Sequence, residues 1–170
     1  MTTTFSTRRA TSDDVPAILA VYKAAARQGN GILRRENEVT EAYITHNMAN
    51  SLATGLSVLA ERDGVCAGEL HSWARPVRQL AHVLSDLTIA VDPAVQGRGV
   101  GRLLFENFIA TVRSDMPHIR VIELFCREDN VRAIALYEAM GFILEGRLTN
   151  RVALDDGTYK DDLLMGLQLA

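Results

Sequence analysis

Three glycines, Gly97, Gly99 and Gly101, stand at alternate positions just before a stretch of helical character. Glycine takes φ > 0 without steric cost and lets backbone approach a ligand closely. The first N–H groups of the following helix have no partner inside it. The helix dipole adds positive potential at that end. Such a turn cradles a phosphate or pyrophosphate. Arg98 and Arg102 add charge-assisted donors beside it, Gln96 opens it, and Val100 starts the apolar face of the helix. The spacing fails the G-x-G-x-x-G dinucleotide fingerprint, and no lysine follows as in a Walker loop.

A second group lies downstream, in Asn130-Val131-Arg132-Ala133-Ile134-Ala135-Leu136-Tyr137-Glu138-Ala139-Met140-Gly141-Phe142. Asn130 reads as a helix N-cap and Gly141 as a left-handed stop. Tyr137 carries a phenol that is protonated at pH 7 and can donate to a departing anion. On a helix beside Ile134 and Met140, the same ring could also be a core aromatic.

The pattern Gln96-x-x-Gly99-x-Gly101 resembles the Q/R-x-x-G-x-G/A signature of the GNAT superfamily of N-acetyltransferases. The stretch from Asn130 to Phe142 is similar to that family's second motif, N-x-x-A-x-x-x-Y-x-x-x-G-F, and Arg8 to Asp14 resembles its usual start. The resemblance covers most of the chain and is strongest from residue 82 onward. It implies an α/β fold with a central, mostly antiparallel mixed sheet, parallel strands splayed at the cofactor site, and helices on both faces. It implies acetyl-CoA as co-substrate, held by Gln96, Gly97, Arg98, Gly99, Val100, Gly101, Arg102 and Asn130. The strand backbone at Ile89, Ala90 and Val91 would pair with the pantetheine arm and supply an oxyanion donor. Tyr137 would be the acid that protonates the leaving thiolate. The branches it resembles are small-amine or amino-acid acetyltransferases and ribosomal-protein N-terminal acetyltransferases.

Transfer to a primary amine needs that amine neutral, although free amines have pKa values of about 8 to 10.4. A base, or a water leading to one, must take a proton. Four readings stay open. Asp86 lies on the strand before the glycine turn, but one residue out of the family's register, which would turn its side chain to the other face. Glu123 shares a strand face with Phe125, which stands where some relatives carry a glutamate. Glu69 and His71 share a face with Trp73, either lining a substrate site or facing solvent. A water-mediated base is the fourth. Cys126 reads as a small buried apolar residue rather than a nucleophile.

The elements that must position these residues follow from periodicity. A short strand at Phe5–Arg8 precedes a capped helix through Val15, Ile18, Leu19 and Tyr22, ended by Gln28 to Gly31. Residues 36 to 53 are expected to be one helix. Leu56–Glu61 and Val65–Trp73 form a hairpin about Arg62-Asp63-Gly64. The run His82–Val91 ends in five apolar and β-branched residues, as a strand covered on both faces would. A helix from the glycine turn to Val112, a strand Arg120–Cys126, the helix from Asn130 and a hairpin Phe142–Leu154 with Thr158–Leu169 complete the chain.

Composition sets the outer limits. With 170 residues, 48% of them apolar, the chain can bury a core as one domain over residues 1–170 without staples. A net charge of −3 argues against nucleic acid as a partner. No run of membrane-spanning length, no signal-peptide core and no CxxC or HExxH spacing occurs, so no membrane, no metal and a cytoplasmic location are expected. The expected partner is a small-molecule primary amine such as an amino acid. The alternatives are a protein N-terminus, or a module that senses acetyl-CoA without turnover. The apolar closing hairpin could pair in a homodimer or fill the core.

Overall fold

The structure, a computed structural model, describes residues 4–29 and 31–169. Asn30, within the turn expected after the first helix, lies outside them. The elements run β1 (Ser6–Arg9), α1 (Val15–Arg27), α2 (Glu41–Thr54), β2 (Gly55–Arg62), β3 (Val65–Trp73), β4 (Val83–Val91), α3 (Val100–Asp115), β5 (Val121–Arg127), α4 (Val131–Ala139), β6 (Ile143–Ala153) and β7 (Tyr159–Gln168). The strands form one sheet in the order β1-β2-β3-β4-β5-β7-β6. All neighbours are antiparallel except β4 and β5.

Strand alternation sends apolar side chains to two cores. On β2, Leu56, Val58 and Ala60 face α3, while Leu59 faces α1 and α2. Leu104, Phe105 and Phe108 of α3 are fully buried against the sheet. Truncating such a phenylalanine to alanine costs about 3–5 kcal/mol. On the other face, Ile18 and Tyr22 of α1 pack with Ile44 and Met48 of α2.

Two expectations are corrected. Residues 36 to 53 are not one helix: a single 3-10 turn at Glu36–Glu38 is followed by extended backbone at Val39 and Thr40. The Thr40 hydroxyl then accepts from the Tyr43 N–H at 3.1 Å and starts α2. A threonine N-cap satisfies an orphan donor only from an extended conformation, so it sets the boundary. The run Leu87–Val91 is not covered on both faces either: Thr88, Ile89 and Val91 are only half-buried.

The cause is the splay between β4 and β5. They pair only at Val83 with Val121 and Leu84 with Ile122, and then diverge. Next to this point Asp86 takes a left-handed φ of 53°, and the register with β3 shifts between His71 and Trp73. This bulge bends β4 away from β5 and opens a cleft through the sheet.

Candidate active site

Two cavities meet in that cleft. The first, of about 870 Å³, is walled by the glycine turn, by Ile89, Ala90 and Val91 of β4, and by the start of α4. The second, of about 1070 Å³, lies between the 31–38 loop, α2, Trp73, the β4 bulge and β6. Gly31, Ile32, Ile89 and Tyr137 line both.

The first cavity is built largely from backbone. Gly97 and Gly99 have φ of 78° and 84°, a region open to glycine and closed to most side chains. Gly99 is the N-cap of α3 and offers no side chain to its first turn. The first intrahelical bond there is Leu103 N–H to Gly99 O at 3.0 Å, so the preceding N–H groups stay available. Gly101 differs from expectation: its φ is not positive, and its role is close approach. A Cβ there would stand 3.2 Å from Leu136 of α4. Val100 is buried beneath the turn. The Gln96 side-chain amide donates to Val91 O at 3.2 Å and to Gln28 Oε1 at 3.1 Å, tying the turn to β4 and α1.

The cations sort differently from the sequence expectation. Arg102 lines the cavity, ion-paired to Glu106 at 3.7 Å, but Arg98 is exposed and outside the lining. Residues 97 and 99 turn the chain there, and Arg98 between them points off the wall. Arg127 and Arg132, which sequence reasoning missed, line it instead. Arg132 also donates to Gln96 Oε1 at 3.4 Å. The signal was available for Arg132, two positions after Asn130 in the second motif. Asn130 lines the cavity and caps α4, its Oδ1 accepting from Ala133 N–H at 3.3 Å.

Tyr137 stands at the junction of the two cavities. Its ring packs edge-on against Phe105 at 5.5 Å and near Phe142 at 6.1 Å. Burial, reinforced by the neighbouring Cys126, pushes its phenol above the usual tyrosine range. The hydroxyl therefore keeps its proton through neutral and alkaline pH.

The expected bases are dispersed. Asp86 lines the second cavity, on the bulge, with Arg75 at 3.8 Å. The one-residue register offset counted in the sequence coincides with that bulge. Glu123 shares the β5 face of Phe125, but it does not line either cavity. Its carboxylate accepts from the Ser85 hydroxyl at 2.6 Å. Glu69 and His71 are neither solvated nor lining: they are 1% and 3% exposed, behind the cavity wall.

The second cavity is a side-chain surface. Arg34 sits 4.1 Å from the centre of the Tyr43 ring, and Arg151 sits 4.3 Å from that of Phe125. Arg151 also lies 3.7 Å from Asp162. None of these pairs has a spacing signature, although Arg34–Tyr43 is local in sequence and Arg151–Asp162 lies across the β6–β7 hairpin. Among the described residues, no group of three His, Cys, Asp or Glu could hold a metal. No described helix is long and apolar enough to cross a membrane.

The acetyltransferase (GNAT) family model matches residues 32–142. The chain is 31% identical over 155 residues to a phosphinothricin N-acetyltransferase of Alcaligenes faecalis, covering 90% of this chain and 77% of the relative. It is 44% identical over 82 residues to the ribosomal protein bS18-alanine N-acetyltransferase of Salmonella typhimurium, covering 48% of this chain and 53% of the relative. An acetyltransferase from Salmonella typhimurium, solved with its cofactor acetyl-CoA, superposes with a TM-score of 0.83 at 23% identity, covering 98% of this chain and 94% of that one. The chain belongs to the GNAT acetyltransferase family and is an N-acetyltransferase.

Proposed function

We propose that the protein moves an acetyl group from acetyl-CoA to the primary amine of an amino acid or similar small molecule, by direct transfer in a ternary complex. The observation that carries this reading is the meeting of two differently built cavities at Tyr137 and Ile89. Direct transfer needs two sites with one shared point.

Acetyl-CoA is the donor, and the first cavity fits it. The uncapped N–H groups after Gly99, with Arg102, Arg127 and Arg132 around them, suit a pyrophosphate. The β5-facing backbone of Ile89 to Val91, freed by the splay, suits the pantetheine amides and the developing oxyanion. Tyr137 gives its proton to the leaving sulfur. No covalent enzyme intermediate is required. Burial pushes the Cys126 thiol up to about 11, so it is not a thiolate nucleophile at neutral pH.

The second cavity suits the acceptor. Arg34 and Arg151 on its wall match a carboxylate, and Asp86 and Glu38 match an ammonium. An amino acid offers both charges. The relative matched over nearly the whole chain carries phosphinothricin in its name, whereas the ribosomal-protein relative aligns over about half. Both cysteines are free thiols, which fits a cytoplasmic enzyme. Exposed Ile143, Leu144 and Leu148 on the edge strand β6 fit a homodimer.

Acetyl-CoA-dependent release of free thiol, measured across amino acids, polyamines, aminoglycosides and short peptides, tests this reading. Turnover with amino acids is the expected result. Turnover with peptides alone would move the assignment to protein N-termini. A thermal shift on acetyl-CoA with no turnover would make the protein a sensor.

A further inference from the structure

We infer that His71, held by Glu69, is the proton relay that neutralises the acceptor amine, acting through a water seated between α2 and β3. This rests on the proposed amine acetylation and assigns the base which the sequence left open.

Glu69 accepts hydrogen bonds in the core from Tyr22 Oη at 2.7 Å and from Ser57 Oγ at 2.5 Å, and His71 Nδ1 lies 3.0 Å from its carboxylate and 3.2 Å from Tyr22 Oη. Facing an acceptor-only carboxylate, Nδ1 is assigned here as the protonated nitrogen. With Nδ1–H pointing at a carboxylate, the neutral ring keeps its basic lone pair on Nε2. The same logic orients histidine in acid–base triads.

His71 Nε2 is buried and has no partner among the described residues. Two other buried atoms share that condition: Asn47 Nδ2 and Ser51 Oγ, one turn apart on the buried face of α2 that packs over β2 and β3. An amide donor, a hydroxyl and an imidazole acceptor are the set a buried water needs, since such waters make two to four hydrogen bonds. The path onward is short. The His71 ring stacks on Trp73 at 5.4 Å, and its cross-strand neighbour is Thr88. Trp73, Thr88 and Asn47 all line the acceptor cavity. Its titratable or polar surroundings are Tyr22 from α1, Tyr43 and His46 from α2, Ser57 from β2, Thr88 from β4 and Glu69 on β3 itself. Glu69 is the acidic group among them and the one in direct contact with the ring.

The step balances. One proton of the bound ammonium passes through the water to Nε2, and Nδ1–H stays on Glu69. The freed nitrogen lone pair attacks the thioester carbon, the N–C bond forms and the C–S bond breaks. Tyr137 protonates the sulfur and recovers a proton from the new amide nitrogen through water in the cleft. His71 returns its proton to bulk solvent between turnovers.

His71→Asn keeps a donor to Glu69 and removes the base. With the amine that turns over best in the wild-type enzyme, kcat should fall at least ~10-fold at pH 7. The deficit should shrink as pH rises past the pKa of the amine, which then arrives neutral; KM for acetyl-CoA should not change. A purely structural role would lower the rate equally at every pH. A wild-type rate and pH profile in the variant would overturn the relay. So would wild-type imidazole NMR showing His71 as the Nε2–H tautomer, a readout independent of the variant's folding. Absence of any amine turnover in the wild-type enzyme would instead reject the acetylation reading, and the relay with it.

Discussion

The two cavities differ in what they are made of. The donor cavity is centred on two local segments, the glycine turn with the first turn of α3 and the start of α4, which supply more than half of its lining, and backbone N–H groups are among its key donors. The acceptor cavity is assembled from a loop, two helices and strands spread from Gly31 to Asp162, and its key groups are side chains. A backbone site constrains residue type only where a side chain would block it, so it leaves a pattern of small residues at fixed spacing. A side-chain site leaves no spacing, because its members meet only after folding.

The difference can be tested by damaging each side in turn. Gly99→Asp should have the largest effect. Aspartate is among the few residues that visit the left-handed region, so α3 should survive with some strain, but its carboxylate repels a pyrophosphate. Acetyl-CoA affinity should fall at least ~100-fold, about 2.7 kcal/mol, in calorimetry, with the circular dichroism spectrum unchanged. Unchanged affinity would remove the ligand from the turn. Tyr137→Phe strikes the shared point. Its turnover should drop at least ~10-fold while acetyl-CoA binds as before; full turnover would reject Tyr137 as the acid.

Arg34→Ala and Arg151→Ala touch the acceptor side alone. Each should raise KM for an amino acid about 5-fold and leave KM for acetyl-CoA where it was. An equal rise in both constants would blur the boundary between the cavities. Cys126→Ala should do least, keeping turnover within about twofold. The wild-type thiol should alkylate slowly at pH 7 and faster only as pH climbs toward about 11, since burial raises its pKa and favours the neutral form. Fast labelling at neutral pH with loss of activity would reopen covalent catalysis.

The same contrast explains what could be read from the chain beforehand. The order of strands and helices was legible because each has a period and a stop: Asp92-Pro93 ends β4, and Gly141 ends the α4 turn. The glycine turn was legible for the reason above. Three features were not. The left-handed residue at Asp86 arises from pairing with β3, a contact that periodicity does not encode. Arg98 and Arg102 look equivalent in the sequence, but only the helical one reaches the wall. Glu69 and His71 read as a strand face that either lines a substrate site or meets solvent, because their burial depends on Tyr22 and Ser57, distant in sequence. Polar residues on a strand signal solvent by default, and a buried polar cluster breaks that rule only when partners come from elsewhere.

The central claim is that donor and acceptor occupy separate cavities joined at Tyr137. Backbone amide NMR during titration with acetyl-CoA tests it most directly. The account predicts large shifts at Ile89 to Val91, Gly97 to Arg102 and Asn130 to Ala133, smaller ones at Tyr137, and none at Tyr43, Trp73 or Arg151. Shifts centred on Trp73 and Arg151, with the glycine turn silent, would contradict it.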